Sequence, residues 1–345
     1  MTHPSRRRAL GALAAMTGLA ATGLGHSAEA SPRTAARRTA RKTAATGLHV
    51  ADGRLREADG NDLVLRGVSV AHAWYRDRTA QSLADVKSLG ANSVRLVLSS
   101  GAQWTRTTAS EITDLVAEAR SNRLISILEV HDTTGYGEDA NAVPLAEAVA
   151  YWASVAGALR GQEDYTLVNI GNEPYGNTGT AGWVQDTQAA IATVRDAGIG
   201  QALVVDAPCW GQDWDHTMRD AAPAVLAADP QADTVFSVHM YGVYNNAQSV
   251  ADYLDSYVQR ELPVIVGEFG DMHSDGDPDE DAIMSTAQRS GLGYLGWSWS
   301  GNGGGVEYLD MATDFDATRL TPWGRRIFDG QDGIASTAQE ARVFS

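Results

Sequence analysis

The feature that most constrains the fold is an eightfold alternation of short apolar runs, rich in valine and isoleucine, with segments of helical spacing. Such runs are typical of strands buried on both faces of a parallel sheet. The predicted strands cover residues 63–70, 93–98, 124–130, 166–170, 202–206, 234–240, 264–266 and 294–299. The predicted helices cover residues 83–89, 112–119, 145–159, 183–197, 217–228, 250–261, 279–290 and 322–328. Eight strand–helix units predict the α/β class and a (β/α)8 TIM barrel, for which about 250 residues is usual.

A doubly wound sheet of eight strands is the alternative fold. No glycine-rich phosphate loop follows the first strand, which counts against a nucleotide-binding version of that sheet. Before the barrel, the Asp52-Gly53 pair between two short runs predicts a β-hairpin. We assign residues 47–332 to one catalytic barrel that includes this hairpin, and residues 333–345 to a C-terminal tail.

The first 30 residues resemble a twin-arginine export signal. Arg6, Arg7 and Arg8 precede an apolar stretch rich in alanine and glycine, and Ala28-Glu29-Ala30 supplies a cleavage signal. A membrane anchor is the alternative, but the apolar stretch is too short and too weakly apolar for a typical span. Residues 31–46 are basic and lack apolar periodicity, which predicts a disordered leader. We therefore expect a secreted, extracellular protein without a membrane segment in its mature form.

Charge and cysteine content exclude several classes of function. The net charge is −16, and the basic residues are concentrated in the first 46 positions, so the predicted barrel is strongly acidic. An acidic surface repels nucleic acid and anionic lipid, and favours a neutral substrate. The single cysteine, Cys209, excludes an internal disulfide and a cysteine-rich metal site.

Two glutamates follow predicted strands at the end of the barrel where active sites lie. Glu173 comes after the fourth strand and Glu268 after the seventh. A pair of carboxyl groups across a cleft is what cleavage of a glycosidic bond requires, because one protonates the leaving oxygen and the other attacks or activates water. No histidine pair has the spacing of a zinc site, so we expect no cofactor for catalysis.

The motifs around these glutamates resemble glycoside hydrolase family five, over the stretch from residue 48 to about residue 330. The resemblance is carried by Asn172-Glu173-Pro174, Glu268-Phe269-Gly270, Arg95 and His239-Met240-Tyr241. Further motifs are similar to the bacterial, actinobacterial-type endo-β-1,4-mannanase branch of that family. These are Arg66-Gly67-Val68-Ser69, Val205-Asp206-Ala207-Pro208 and the run from Gly296 to Asn302.

The resemblance implies a role for each matching residue. Glu173 would be the acid/base and Glu268 the nucleophile of a retaining enzyme. Arg95 and the Tyr241 hydroxyl would favour the ionised form of Glu268. The remaining assignments are Asn172 to the sugar 2-hydroxyl, His131 and His239 to the cleft network and substrate hydroxyls, and Trp297 to the floor under the cleaved sugar.

Tryptophan placement predicts a glycan cleft independently, since flat indoles pack against the C–H faces of pyranose rings. Six of the nine fall at predicted strand ends or in the loops beyond them, namely Trp74, Trp104, Trp210, Trp214, Trp297 and Trp299. Of these we predict Trp74, Trp104 and Trp210 to bind substrate beside Trp297. Trp152, Trp183 and Trp323 lie in helical segments and are predicted core residues.

An acidic segment at residues 271–281 suggests a structural calcium ion, because calcium prefers oxygen ligands. The candidate ligands are Asp275, Asp277, Asp279, Glu280 and Asp281. The alternative is a solvated helix start with Asp277 as N-cap and Pro278 at the first helical position.

The leading hypothesis is a secreted, monomeric enzyme that hydrolyses internal β-1,4-mannosidic bonds of mannan, glucomannan and galactomannan. An endo-β-1,4-glucanase on the same scaffold is the nearest alternative, since mannose and glucose differ only at the 2-hydroxyl. A non-catalytic glycan-binding barrel is the alternative from another class, and a missing carboxylate would mark it.

Overall fold

The computed structural model describes residues 47–345, and the predicted export signal and leader lie outside the described residues. Within this part, eight parallel strands close into a barrel in the order β10-β3-β4-β5-β6-β7-β8-β9. The barrel strands are β3 (Arg66–Val70), β4 (Ser93–Leu98), β5 (Ile125–Val130), β6 (Thr166–Asn169), β7 (Leu203–Asp206), β8 (Thr234–Met240), β9 (Val264–Phe269) and β10 (Gly293–Gly296). The predicted (β/α)8 barrel is confirmed.

A helix follows each barrel strand and packs on its outer face. The eight are α1 (Thr79–Ser88), α2 (Ala109–Ser121), α3 (Leu145–Val155), α4 (Trp183–Asp196), α5 (Thr217–Ala228), α6 (Ala247–Val258), α7 (Glu280–Ser290) and α8 (Pro322–Asp329). Their apolar stripes bury residues such as Trp152, Trp183 and Trp323 against the sheet, as predicted. None of the helices in residues 47–345 combines the length and the apolar character of a membrane-spanning segment.

The seventh barrel strand differs from its prediction in a way that matters for the site. The sequence predicted a strand ending at residue 266, but β9 continues to Phe269 through a bulge, since Val238 pairs with Val266 and His239 with Glu268. Gly267 is the extra residue. A bulge reverses which face the following side chains occupy, so Glu268 points into the barrel with His239. A Cβ on Gly267 would lie 2.1 Å from Ser237 Oγ, so a larger residue would require the Ser237 side chain to move.

The predicted hairpin closes the N-terminal end of the barrel, opposite the catalytic end. Strands β1 (His49–Ala51) and β2 (Arg54–Arg56) pair antiparallel around Asp52 and Gly53. Both turn residues have positive φ, 50° and 71°, as a two-residue Asp-Gly turn requires. Leu48 and Leu55 pack there with side chains from the strand starts, such as Ile125.

Residues 333–345 pack against the same end of the barrel. The short helix α9 (Ile334–Thr337) begins with a buried Ile334. Further along, the backbone N–H of Val343 donates to Glu57 Oε2 at 3.0 Å.

A buried ion pair between Arg195 and Asp229 holds the loops at the N-terminal end of the barrel in place. Arg195 donates to both carboxylate oxygens of Asp229 at 3.0 and 2.9 Å, and also to the backbone carbonyls of Ile199 and Gln201. The two side chains are 4% and 0% exposed.

We expect Arg195→Ala to lower the free energy of unfolding by about 3–5 kcal/mol, because it leaves the buried Asp229 carboxylate without its positively charged partner and two backbone carbonyls without their side-chain donor. Chemical denaturation measures this loss. Arg289→Ala is the control, since Arg289 lies 3.8 Å from Asp255 on the exposed surface and should cost at most about 1 kcal/mol. Equal losses in both variants would contradict the assignment.

Candidate active site

Arg95 is the centre of a buried polar cluster inside the catalytic end of the barrel. From β4, its guanidinium donates to Glu268 Oε1 at 2.6 Å, Asn172 Oδ1 at 2.6 Å, Asn169 Oδ1 at 3.0 Å and Asp206 Oδ2 at 3.2 Å. Burial lowers the pKa of Arg95, but the surrounding carboxylates outweigh burial and raise it above its ordinary value. Arg95 therefore carries a permanent positive charge, and its hydrogen bonds connect β4 with β6, β7 and β9.

Glu268 lies at the middle of this charge arrangement. Besides Arg95, the Tyr241 hydroxyl donates to Glu268 Oε2 at 3.0 Å, and His239 Nδ1 lies 3.6 Å from the same oxygen. Burial raises the pKa of Glu268, while the positive charges of His239 and Arg95 oppose that rise. All three neighbours stabilise the carboxylate form, which is the form that can attack an anomeric carbon.

Glu173 faces Glu268 from the loop after β6. His239 Nδ1 donates to Glu173 Oε1 at 2.7 Å, and Glu173 Oε2 makes no hydrogen bond to the described residues. Glu173 has a positive φ of 39°, a conformation that is uncommon outside glycine and clusters at functional sites. Ligand atoms of Glu173, Glu268 and His239 all lie within 4.8 Å of one another, so the two carboxyl groups share one small space.

The buried imidazole of His239 is held in its charged form. Burial alone lowers the pKa of His239, but the negative charges of Glu268 and Asp206 raise it to about 10. In turn, burial raises the pKa of Asp206, while His239 and Arg95 together lower it to about 2. Among residues 47–345, Glu173, His239 and Glu268 are the only cluster with metal-ligand spacing. Because the neighbouring carboxylates favour protonated His239 and His239 Nδ1 lies 2.7 Å from Glu173 Oε1, the trio is suited to proton transfer.

The raised pKa of His239 predicts a pH-dependent contribution to stability. The folded-state pKa of about 10 exceeds the ordinary 6.5, so the folded state binds the proton more tightly. This contribution is complete below pH 6.5 and is lost as the pH rises through 10. We expect the free energy of unfolding to fall more steeply between about pH 7 and pH 10 in the unaltered protein than in His239→Gln. Parallel slopes in denaturant titrations across that range would contradict the charged imidazole.

Three of the four tryptophans predicted to bind substrate, Trp74, Trp104 and Trp297, lie together with His131 in one aromatic wall. His131 stacks on Trp297 with ring centroids 5.5 Å apart, and Trp74 meets the edges of Trp104, His131 and Trp297 at 5.4, 5.1 and 6.3 Å. Glu129 Oε1 lies 2.9 Å from His131 Nδ1. Burial lowers the pKa of His131, but the charge of Glu129 outweighs it and raises the pKa above its ordinary value.

The remaining predicted residues are distributed around this centre. Asn172 lies within the Arg95 cluster, and its Nδ2 donates to Thr134 Oγ1 at 2.8 Å. Trp210 lies on the loop after β7, where its Nε1 donates to Glu138 Oε2 at 2.9 Å. Trp299 does not join the site, because it is 1% exposed and packs against Phe328 behind the barrel.

Three buried polar residues that hold the cluster together were not among the predicted site residues, namely Glu129, Asn169 and Asp206. Each is fully or almost fully buried and hydrogen-bonds to Arg95, His131 or a neighbour of theirs. The sequence could have identified them, because each is a polar residue within, or at the end of, an otherwise apolar strand. Such a residue, when buried, needs a partner.

The acidic segment is engaged with protein partners, and its helix cap differs from the prediction. Asp279, rather than Asp277, is the N-cap of α7, and its side chain accepts from the Ala282 N–H. The helix begins at Glu280, one residue after the predicted start at 279 and two residues after the start that an Asp277 cap would give. Asp275 accepts from the Gly242 N–H and from Gln212 Nε2, while Asp281 pairs with Arg326. Three of the five candidate calcium ligands, Asp275, Asp279 and Asp281, therefore have protein donors already.

The barrel and its paired carboxyl groups define a glycoside hydrolase. Residues 56–303 match the cellulase family that is described as glycosyl hydrolase family 5, and the chain belongs to that family. Within it, the chain is 58% identical over 304 residues to a mannan endo-1,4-β-mannosidase of Streptomyces lividans, covering 88% of this chain and 79% of the relative.

Two further relatives are also similar to the chain. The chain is similar to the β-mannanase of Thermomonospora fusca in its mannotriose complex, with a TM-score of 0.84, 56% identity, and coverage of 87% of this chain and 100% of the other. A β-mannanase/endoglucanase A of Caldicellulosiruptor saccharolyticus is 50% identical over 274 residues, which are 79% of this chain and 21% of that protein.

Proposed function

We propose that the chain is a secreted endo-β-1,4-mannanase that hydrolyses internal bonds of mannan, glucomannan and galactomannan with retention of configuration. The observation that carries the retaining mechanism is the closeness of Glu173 and Glu268, whose ligand atoms lie within 4.8 Å. Retaining enzymes hold their carboxyl groups about 5–5.5 Å apart, whereas inverting enzymes leave about 6.5–9.5 Å for a water molecule. The names of the relatives support the choice of mannan.

In the first chemical step, Glu268 Oε2 or Oε1 attacks the anomeric carbon while Glu173 gives its proton to the leaving oxygen. The glycosyl–Glu268 ester forms as the bond to the leaving sugar breaks. Arg95 and Tyr241, which hydrogen-bond to Glu268 in the free enzyme, orient the attacking oxygen. The Glu173 oxygen that does not contact His239 is free to carry the proton.

In the second step, Glu173 is ionised and accepts a proton from water as the water attacks the ester. His239 donates to Glu173 Oε1 at 2.7 Å, and its positive charge stabilises this carboxylate. Glu268 leaves as a carboxylate and regains its hydrogen bonds to Arg95 and Tyr241. The two displacements together preserve the β configuration.

The test is hydrolysis of galactomannan, glucomannan and carboxymethyl-cellulose by the purified protein, followed by proton NMR of the first sugar released. We expect activity on the two mannans, rapid loss of viscosity, and the β-anomer as the initial product. An initial α-anomer would overturn the double displacement, and activity on cellulose alone would overturn the substrate.

An endo-β-1,4-glucanase is the second candidate. The name of one relative, β-mannanase/endoglucanase A, supports this second candidate, although the chain matches only about a fifth of that protein. Equal rates on carboxymethyl-cellulose and galactomannan would establish a dual activity. A non-catalytic glycan-binding barrel is disfavoured, because both carboxyl groups are present and have oxygen atoms within 4.8 Å of each other.

Export through the twin-arginine route and a monomeric state belong to this proposal. The resemblance of residues 1–30 to an export signal supports the first. Secretion of the full chain, compared with a double variant that combines Arg6→Lys with Arg7→Lys, tests the route.

A structural calcium ion at residues 275–281 stays a prediction. If the ion binds, the melting temperature should be several degrees higher in calcium than in EDTA, since a ligand that binds only the folded state stabilises it. Catalysis at moderate temperature should persist in EDTA, because Glu173 and Glu268 need no metal. Identical melting curves would remove calcium from the proposal, and the acids would then act as a helix cap and ion-pair partners.

A further inference from the structure

Trp214 is the only exposed tryptophan among residues 47–345. Half of its surface is exposed, whereas the other eight are buried or half-buried. An exposed indole face offers a flat apolar surface on which the C–H face of a sugar ring can pack. Its orientation is nevertheless fixed, because its Nε1 donates to Asn177 Oδ1 at 2.8 Å.

The same hydrogen-bonded unit fixes a second indole. Asn177 Nδ2 donates to Glu138 Oε2 at 3.4 Å, and Trp210 Nε1 donates to that same oxygen at 2.9 Å. Glu138 follows β5, Asn177 follows β6, and both tryptophans follow β7. Three loops thus hold two indoles in place at the rim, which we call the Trp210–Trp214 platform.

The platform adjoins the acid/base. The backbone N–H of Trp210 donates to the backbone carbonyl of Tyr175, two residues after Glu173. The backbone N–H of Gly135 donates to the backbone carbonyl of Glu173 at 2.9 Å. The Trp210 ring covers Gly135 so closely that a Cβ there would lie 2.2 Å from the ring. Because Glu173 protonates the leaving oxygen, the sugars nearest to this side belong to the leaving group.

The barrel order places the other aromatic wall across the mouth. Trp297, Trp74, Trp104 and His131 follow β10, β3, β4 and β5, which are consecutive in the barrel, whereas β7 is four strands from β3. In an eight-membered ring, four strands apart is diametrically opposite. A glycan that lies along the aromatic wall and crosses Glu268 and Glu173 therefore leaves the mouth over the platform.

We infer that Trp214, with Asn177, forms a sugar-binding subsite at the far leaving-group end of the cleft, beyond Trp210. Its ligand is a neutral β-1,4-linked pyranose unit, with its C–H face on the indole and its hydroxyls near the Asn177 amide and the Glu138 carboxylate. This inference rests on the proposed function. Trp214 then contributes binding energy only to oligosaccharides that are long enough to reach it.

The experiment compares kcat/KM on β-1,4-linked mannotriose and mannohexaose for the unaltered enzyme, Trp214→Ala, Trp214→Phe and Asn177→Ala. We expect Trp214→Ala to lower the value for mannohexaose about tenfold, the worth of one aromatic contact, and to leave mannotriose unchanged. Trp214→Phe should keep most of the activity on mannohexaose, while Asn177→Ala should lose part of it. Val258→Ala is the control, since Val258 is exposed at the end of α6.

Product patterns and melting curves complete the test. Trp214→Ala should cut mannohexaose at shifted positions while its melting temperature is unchanged. An unchanged kcat/KM on mannohexaose, or an equal loss on both oligosaccharides, would overturn the subsite. If the unaltered enzyme cuts neither, the proposed substrate has failed, and the series on cello-oligosaccharides of equal length decides the subsite separately. Activity on neither series would overturn both.

Discussion

Replacing Glu268 by glutamine is expected to lower kcat on galactomannan by at least about 10⁴-fold, because the proposed double displacement then has no nucleophile. The amide has nearly the same shape as the carboxylate but cannot form the glycosyl ester. It also cannot balance Arg95, which donates to Glu268 at 2.6 Å. Rates from reducing-sugar release, measured beside a melting curve, check this expectation.

Covalent labelling separates this role from a structural one. A 2-deoxy-2-fluoro mannoside with a good leaving group should add one glycosyl unit to Glu268 of the unaltered enzyme, as seen by peptide mass spectrometry, and none to Glu268→Gln. Val258→Ala serves as the activity control, because Val258 lies on the outer surface. A glycosyl adduct on Glu173, or on any other residue, would refute the assignment of the nucleophile.

Glu173→Ala is expected to lower kcat on galactomannan by about 10²–10⁴-fold, the usual worth of general acid–base catalysis. The loss should depend on the leaving group, since a dinitrophenolate departs without protonation and a sugar does not. Kinetics on dinitrophenyl mannobioside and on galactomannan measure this difference.

Azide provides the complementary measurement for Glu173→Ala. Azide attacks the glycosyl ester without needing a base, so it should restore turnover of the dinitrophenyl substrate and yield a β-glycosyl azide. It should have no such effect on the unaltered enzyme. A variant equally impaired on both substrates and insensitive to azide would show that Glu173 is not the acid/base.

Much of the fold and the central carboxyl pair could be predicted because the local pattern and the tertiary structure agree. Buried parallel strands need continuous apolar runs, and active groups in this fold follow the strands. Glu173 and Glu268 therefore stood out from the sequence. The hairpin was predictable for a similar reason, since Asp52-Gly53 has a local conformational preference.

What the sequence did not reveal depends on contacts between distant segments. Without the neighbouring strand, Gly267 looks like the end of a strand, and only pairing with β8 shows that it is a bulge. Asp206 and Glu129 look like ordinary strand-end polar residues until Arg95, His239 and His131 are seen to surround them. The cap of α7 was placed two residues early, because several adjacent acids can cap a helix and only the backbone geometry selects Asp279.

The hairpin and the last residues meet on one face, and this sets where the molecule can be joined to something else. Leu48 is hydrogen-bonded to Glu163, and Phe344 packs on Tyr165 beside the start of β6. The catalytic mouth is at the opposite end of every strand. A fusion partner or a solid support attached at Ser345 would therefore leave the cleft facing outward, accessible to a substrate in solution.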